Sequence, residues 1–276
     1  MTPSWKSRLE DIVVSVVAVL IGLVLIFPII YCFCGAFKTA AEFTQPELLP
    51  GSFRNLDNFR QALTQAPLLR YMLNSCIVAF LGSSVRMVIS LLAAYAFTYF
   101  DFPGRKFCFF LVLGTMMMPG DILLATNYLT VSRLHLLNSY LGICIVSFVS
   151  GSQTFMLRQK FRTVPRALRD AAELDGCGDF RFLCQVLIPH CRPVITTLFM
   201  QSFITLWNSY LWPLLVTASS GKMRTIMVGI TKLNSWEDSN YQLVMAGVVI
   251  SLLPSFLLFI AMRRSVKKGA LDDAWI

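Results

Sequence analysis

From Ile12 to Phe37 the sequence reads IVVSVVAVLIGLVLIFPIIYCFCGAF, without one Asp, Glu, Lys or Arg. The hydrocarbon core of a bilayer is about 30 Å thick and an α-helix rises about 1.5 Å per residue, so a run of this length and polarity can cross it. The run is longer than the apolar core of a usual secretion signal, and no A-x-A-like cleavage site follows it. It is therefore expected to remain as a membrane anchor. Five further segments share its character, approximately Met72 to Phe97, Phe107 to Tyr128, Ser139 to Leu157, Val194 to Val216 and Leu243 to Met262. The expectation is an all-α membrane protein of six transmembrane helices, forming one transmembrane domain over residues 1–276.

Composition leads to the same place. The 276 residues are 56% hydrophobic and 14% charged, with a mean hydropathy of +0.64, whereas soluble domains carry about 45–50% apolar and roughly 25% charged residues. A water-soluble fold and a disordered chain are both excluded. Eight Cys are too few and too scattered for a disulfide scaffold. Cys177, Cys184 and Cys191 recur at intervals of seven, but no C-x-x-C or zinc-like His/Cys spacing accompanies them, and no metal site is expected.

The net charge of +9 reports sidedness, because Lys and Arg flanking a span are retained on the cytoplasmic side. Lys6, Arg8, Arg105, Lys106, the seven basic residues from Arg158 to Arg192, Arg263, Arg264, Lys267 and Lys268 fall on one side of the bilayer. The other side holds only Lys38, Arg54, Arg60, Arg70, Arg133, Lys222, Arg224 and Lys232. The richer side is read as cytoplasmic, with both termini inside. The basic balance then needs no nucleic acid, and no basic strand interleaved with aromatics points to one.

Two polar segments interrupt the apolar ones. Residues 38–71 form an outer loop containing Pro46, Pro50, Gly51 and Pro67, with a short helix expected around Asn58 to Leu63. Residues 158–193 form an inner loop, RQKFRTVPRALRDAAELDGCGDFRFLCQVLIPHCRP. In it Thr163 is a plausible N-cap and Pro165 suits a first turn. Arg166 to Leu174 reads as a short helix that Asp175-Gly176 stops. Asp179 is placed to cap a second helix from Phe180 to Ile188, which Pro189 and Pro193 end. This polar helix-turn-helix is too short to stand alone, so it must pack on the spans or into a partner.

The stretch Asp170-Ala171-Ala172-Glu173-Leu174-Asp175-Gly176, followed by Ile188-Pro189 and Pro193, resembles the EAA signature of ABC importer permeases, with Asp170 in place of the usual Glu. Phe102-Pro103-Gly104-Arg105, Met118-Pro119-Gly120, Leu137-Asn138-Ser139-Tyr140 and Trp207-Asn208-Ser209-Tyr210-Leu211-Trp212-Pro213 extend the resemblance to maltose-type carbohydrate and glycerol-phosphate permeases over nearly the whole chain. The resemblance implies a permease subunit of an ATP-driven, solute-binding-protein-dependent importer in a bacterial or archaeal cytoplasmic (inner) membrane. It implies as partners two ATP-binding cassette ATPase subunits, a second permease subunit that in the family is often a different chain, and an extracytoplasmic solute-binding protein meeting residues 38–71 and 219–241. The loop's first helix would dock in a groove of an ATPase: Ala171 and Ala172 would permit close approach, Asp170, Glu173 and Asp175 would meet basic residues, and Gly176 would make the turn. The cargo implied is a sugar, oligosaccharide or polyol; glycerol-3-phosphate or a glycerophosphodiester is the alternative.

No catalytic machinery is legible in the chain itself. The only Gly-Lys pair, Gly221-Lys222, has Val216 where a phosphate loop needs its first Gly. His135 and His190 fall on opposite sides of the membrane. ATP and Mg are expected on the partner ATPase, with no cofactor in this chain.

Polar groups inside hydrocarbon are costly and face a bundle interior or a water-filled path. Arg86, near the middle of the second span, is expected to attract an anionic cargo, to pair with an acid such as Asp121, or to pack against a partner subunit. Asp121 and Asn127 follow the Pro119-Gly120 kink and are candidate lining residues. Trp207, Asn208 and Tyr210 offer aromatic faces and an amide suited to sugar hydroxyls, although an interfacial aromatic belt accounts for Trp212. Ser150, Ser152, Gln153 and Thr154 read as polar contacts between helices. A secondary transporter would show two related halves with matching broken helices, which are not evident, and a structural scaffold leaves Arg86 and Asp121 without a role.

Overall fold

The computed structural model describes residues 5–43, 45–233 and 240–272, and those residues hold helices and turns without a strand. In chain order the helices are α1 (Trp5–Phe37), α2 (Ala40–Phe43), α3 (Asp57–Gln65), α4 (Leu68–Tyr99), α5 (Arg105–Thr115), α6 (Leu124–Arg133), α7 (Tyr140–Cys144) and α8 (Gly151–Arg162). They continue with α9 (Arg166–Leu174), α10 (Asp179–Phe182), α11 (Ile188–His190), α12 (Arg192–Trp207), α13 (Leu211–Val216), α14 (Ile226–Thr231) and α15 (Tyr241–Asp272).

Three helices are long and apolar enough to cross a membrane: α1 from Ile12, α4, and α15 as far as Ala261. Two bent pairs bring the number to five. Tyr140–Ser147 meets α8 at 52°, and Asp179–His190 meets α12 at 84°. The segment expected from Phe107 to Tyr128 is not one helix, since α5 stops at Thr115 and a 3-10 turn, Gly120–Leu123, precedes α6. Pro119 offers no amide and pushes Met118 away from helical angles. The break therefore falls where the sequence placed a kink, but goes further than a kink.

Two compact units divide the chain, Met1–Leu68 with Gly229–Leu252 and Leu69–Val228 with Leu253–Ile276. In the first, most of α1 is exposed along its apolar length, and only its last turns, at Cys34 and Ala36, are buried. Gly35 is where α15 comes closest, since a Cβ there would collide with the Met245 sulfur. The last carbonyls of a helix have no partner within it. Asn58, buried on α3, supplies one by donating to Ala36 O at 2.9 Å and Lys38 O at 2.7 Å. The short helix expected near Asn58 thus exists as α3, and it closes off α1.

After this cap Thr39 and Glu42 form a reciprocal capping box. The Thr39 amide donates to Glu42 Oε2 at 2.8 Å and the Glu42 amide to Thr39 Oγ1 at 3.3 Å. The Gly51 amide reaches Glu42 Oε1 at 3.3 Å. The Thr39 amide, chiefly, holds the Glu42 carboxyl below the usual carboxylate range. The order this lends the loop is therefore present above the unfolded-state pKa and lost as pH falls through the lower folded value. Glu42→Ala should lower the protection of the Thr39 and Gly51 amides severalfold at neutral pH, and acidification should lower it in the wild type, protection being taken against the intrinsic exchange rate at each pH. Equal exchange in variant and wild type would show that the box does not order the loop.

In the second unit α4 runs through two apolar clusters. Near its start Val78 packs with Val131, Ile143, Cys144, Trp212 and Val216. Near its end Met87, Leu91, Ala94 and Tyr95 pack with Leu157, Phe161, Ala172, Phe182 and Leu187. Trp212 is not a belt residue of the kind expected, because it is buried and its indole donates to Ile143 O at 3.0 Å. The segment 219–226 is tied to α4 by Asn74, whose Nδ2 donates to Lys222 O and Arg224 O, each at 2.9 Å. The Tyr140 hydroxyl donates to Asn74 Oδ1 at 2.8 Å. All eight cysteines are free thiols.

Candidate functional site

The loop 158–193 builds its own geometry from short-range chemistry. Thr163 does not cap α9 as expected; it ends α8, with its hydroxyl donating to Lys160 O at 2.8 Å. Pro165 takes the N-cap place of α9, its ring fixing φ at −58°. α9 runs from Arg166 to Leu174 as expected, and Asp175-Gly176 stops it, with Gly176 at φ +70°. Only Gly enters that region without a Cβ penalty. Beyond Gly178 the chain is helical from Asp179 to His190 through a π-helical turn at Leu183–Leu187. Pro189 and Pro193 do not terminate helices but sit in the first turns of α11 and α12, where a missing amide costs nothing.

α9 presents two faces. Ala172, 9% exposed, packs inward with Phe161, Val164 and Phe182, and the partly buried Leu168 joins it. Asp170, Ala171, Leu174 and Asp175 face outward, and Leu174 is 89% exposed. The two alanines expected to share one surface are thus split: Ala171 is open and Ala172 is spent on the core.

Arg169 fastens α9 to what lies beneath it. Its Nε donates to Glu173 Oε1 at 2.8 Å and an Nη to Asp179 Oδ1 at 2.9 Å, while its guanidinium lies over the Tyr99 ring at 5.1 Å. The same Asp179 Oδ1 accepts the Tyr95 hydroxyl at 3.1 Å. Asp179 therefore does not cap the following helix, whose N-cap is Gly178 without a side-chain bond; it joins α9 to the end of α4. Glu173 is engaged within the chain, whereas Asp170 and Asp175 form no ion pair among the described residues. Beside this face is a basin of about 590 Å³ lined by Arg105, Arg158, Arg162, Arg166, Arg169 and Asp170.

A second, smaller cavity of about 150 Å³ lies between α4, α8 and α12, lined by Arg86, Ser150, Ser152, Gln153, Gln201 and Thr205 among others. The bend before α8 frees carbonyls, and Arg86 takes one, donating from Nε to Ser147 O. Its terminal nitrogens make no hydrogen bond among the described residues. Gln153, 4% exposed, joins helices as expected, accepting the Ser202 hydroxyl at 3.0 Å and donating to Met87 Sδ at 3.4 Å. Ser150 caps α8, its hydroxyl accepting from the Gln153 amide.

Asn127, Trp207, Asn208 and Tyr210 do not line this cavity. Trp207 is 1% exposed and stacks on Phe203 at 6.0 Å between centroids. The reason is its register: it closes the last turn of α12, facing the same interior as Phe203 four residues earlier. Asn208 and Tyr210 are exposed at the break between α12 and α13, and Asn127 is half-buried on α6. The Asp121 side chain lies outside the described residues, so the pairing expected of it with Arg86 does too.

The model of the family described as "Binding-protein-dependent transport system inner membrane component" matches residues 4–268. The chain belongs to this family. As a permease of the family it is a multi-pass membrane transport component and is not itself catalytic. The sn-glycerol-3-phosphate transport system permease protein UgpE of Brucella melitensis is 32% identical to it over 265 residues, 92% of this chain and 93% of that one. The protein of the same name from Rhizobium meliloti is 31% identical over 97% and 98% of the two chains. Among solved structures, a bacterial ABC transporter involved in import of the acidic polysaccharide alginate matches with a TM-score of 0.82 at 22% identity, covering 96% of this chain and 99% of that one.

Three features of this permease escape the sequence. Leu174 carried no polarity signal, yet it is the most exposed large apolar side chain of α9. Arg169 and Asp179 are ten residues apart, and the turn at Gly176 folds that spacing into a bond. Asn74 reads as one polar residue at the start of a span and becomes the tie for residues 219–226.

Proposed function

We propose that this permease carries a phosphorylated polyol of the glycerol-3-phosphate class across the cytoplasmic membrane, delivered by an extracytoplasmic solute-binding protein and driven by ATPase subunits that dock on α9. The observation that carries the cargo is the likeness, over more than nine-tenths of both chains, to permeases named for sn-glycerol-3-phosphate transport. The outward face of α9 supports the docking: an exposed Leu174 flanked by the uncommitted carboxylates of Asp170 and Asp175 suits a groove that is apolar at its floor and basic at its rim. Both termini and the loop 158–193 are then cytoplasmic, in keeping with the arginines around the basin, and a second permease chain completes the path.

Two measurements test this. A thermal-shift screen of the cognate binding protein should single out glycerol-3-phosphate or a glycerophosphodiester over neutral sugars, since a ligand that binds only the folded state raises its melting temperature. Stabilisation by neutral oligosaccharides alone would sink the cargo reading. Leu174→Lys and Asp175→Lys should abolish copurification of an ATPase with the detergent-solubilised permease and cut uptake at least about tenfold, as expected for losing an interface anchor. Intact copurification and uptake in both variants would rule out docking on α9.

A further inference from the structure

We infer that the cavity between α4, α8 and α12 is the site where the permease takes hold of the phosphate group of its cargo, with the Arg86 guanidinium as the counter-charge. The inference rests on the proposed cargo class and adds to it a place in the chain.

Arg86 stands far from either end of a membrane-crossing helix, where an ionisable side chain is costly and is retained for a partner. Its guanidinium stays charged at any physiological pH. One nitrogen is committed to the Ser147 carbonyl, which orients the group from behind. The remaining donors meet no carboxylate among the described residues, so the group is held in place with its terminal nitrogens turned to neither an acid nor a carbonyl among them. The walls around it supply hydroxyls and amides from three helices: Ser150 and Ser152 at the start of α8, Gln153 behind them, and Gln201 and Thr205 on α12.

A second observation comes from α4 itself. Ser83 and Ser90, about one turn before and one turn after Arg86 on the same helix face, are completely buried, and neither hydroxyl has a hydrogen-bond partner among the described residues. Buried hydroxyls are normally satisfied. The face around Arg86 is therefore polar beyond what the packing of this chain uses.

The chemistry of the lining selects the ligand. Sugar rings are held on aromatic faces, and no aromatic ring or carboxylate lines the cavity among the described residues. A guanidinium with surrounding hydroxyl and amide donors matches the acceptor-only oxygens of a phosphate, which Arg engages through two parallel bonds. At about 150 Å³ the cavity is smaller than the roughly 300–1,000 Å³ of sites that enclose drug-sized ligands. That size suits a phosphate on a short polyol better than an oligosaccharide.

The test uses the whole transporter, copurified with its partner permease and ATPase, reconstituted in phosphatidylcholine vesicles and supplied with its binding protein and radiolabelled glycerol-3-phosphate. Arg86→Gln should lower uptake about 10- to 100-fold, the range expected when a charge-assisted bond is lost, and Arg86→Lys should recover part of it. Because Arg86 also holds Ser147, Gln201→Glu provides an independent probe: Gln201 is exposed and the change is isosteric, so the fold is kept while a negative charge enters the cavity. It should depress uptake of glycerol-3-phosphate by a similar factor, while Gln201→Leu falls between it and wild type. Wild-type uptake in both Arg86→Gln and Gln201→Glu, from a transporter that does import glycerol-3-phosphate, overturns the site and leaves the cargo reading standing. Import of neutral sugars only, with no glycerol-3-phosphate carried by the wild type, overturns both.

Discussion

Asp179→Ala is expected to lower the amount of cargo moved per ATP about fivefold without dissociating the transporter. The side chain ties together three elements, accepting from Arg169 on α9 at 2.9 Å and from the Tyr95 hydroxyl on α4 at 3.1 Å. Hydrogen bonds to charged groups are worth about 1.5–3 kcal/mol each. Asp179 is 49% exposed and Arg169 24%, so solvent screening brings the ionic bond toward about 1 kcal/mol. The Tyr95 hydroxyl keeps the Asp179 backbone carbonyl as an acceptor at 3.2 Å, so the loss is about 1 kcal/mol, enough to shift a two-state equilibrium of the loop about fivefold. α9 would still exist, since Pro165, Gly176 and the burial of Ala172 remain, but its motion would no longer be passed on to α4 in full.

Companion variants separate this from simple unfolding. Tyr95→Phe removes one bond and keeps the ring against Tyr99 and Phe182, so it should show a partial defect in the same ratio. Asp179→Asn keeps an acceptor for Tyr95 and loses the ion pair, giving an intermediate value. Uptake and ATP turnover measured together in proteoliposomes supply the ratio. Wild-type coupling in Asp179→Ala would mean that α9 transmits force through the apolar contacts alone.

The same helix carries the next step. Arg86 and Tyr95 are nine residues apart on α4, about 14 Å at 1.5 Å per residue, within one uninterrupted helix. Under the proposed function, docking at α9 pulls on Tyr95, and a rigid helix carries that displacement to the cavity at Arg86. Coupling across such a distance needs a packed element with two arrangements. The clusters along α4 supply the packing, and the bends of 52° and 84° in the helices around it supply places for rearrangement.

How much of this was legible beforehand depended on how local the cause was. Charge-free runs such as Ile12–Phe37 gave the membrane class, because length and polarity alone decide whether a helix crosses. α9 was readable from Arg166 to Leu174, because its stop at Asp175-Gly176 is a property of adjacent residues. Failures began wherever a residue had a distant option. Thr163 and Asp179 are good caps locally, but a carbonyl of the preceding helix claimed one, and Arg169 with Tyr95 claimed the other. Trp207 and Trp212 looked like residues for a sugar face or a belt, because their types suit both. Which way each faces was settled by the break at Asn208–Tyr210, and sequence period does not position such a break. Arg86 was conspicuous for its charge, but Ser83 and Ser90 were unremarkable until their burial without partners set them beside it.

Asn74→Leu should destabilise the permease by about 3 kcal/mol. The side chain is 3% exposed and makes three bonds: its amide donates to Lys222 O and Arg224 O, and its oxygen accepts from Tyr140. Leucine fills the volume and satisfies none of them. Two carbonyls and a hydroxyl are left without partners in a buried place, at about 1–3 kcal/mol each, with relaxation toward water at the membrane surface reducing the sum. The neighbouring Ser75 hydroxyl, which accepts the Ile226 amide at 2.8 Å, keeps the segment attached at one point, so residues 219–226 should loosen without the helices coming apart. Thermal unfolding in detergent should show a midpoint lower by about 6–12 °C, using about 2–4 °C per kcal/mol for a chain of this size. Tyr140→Phe, which deletes one bond and leaves Asn74 to hold both carbonyls, should cost about a third as much. A double-mutant cycle would then return a coupling near the value of that single bond. A midpoint within 1 °C of wild type for Asn74→Leu would mean that water replaces all three bonds. Residues 219–226 would then be a loose segment, whereas the tie to Asn74 holds them against the start of α4.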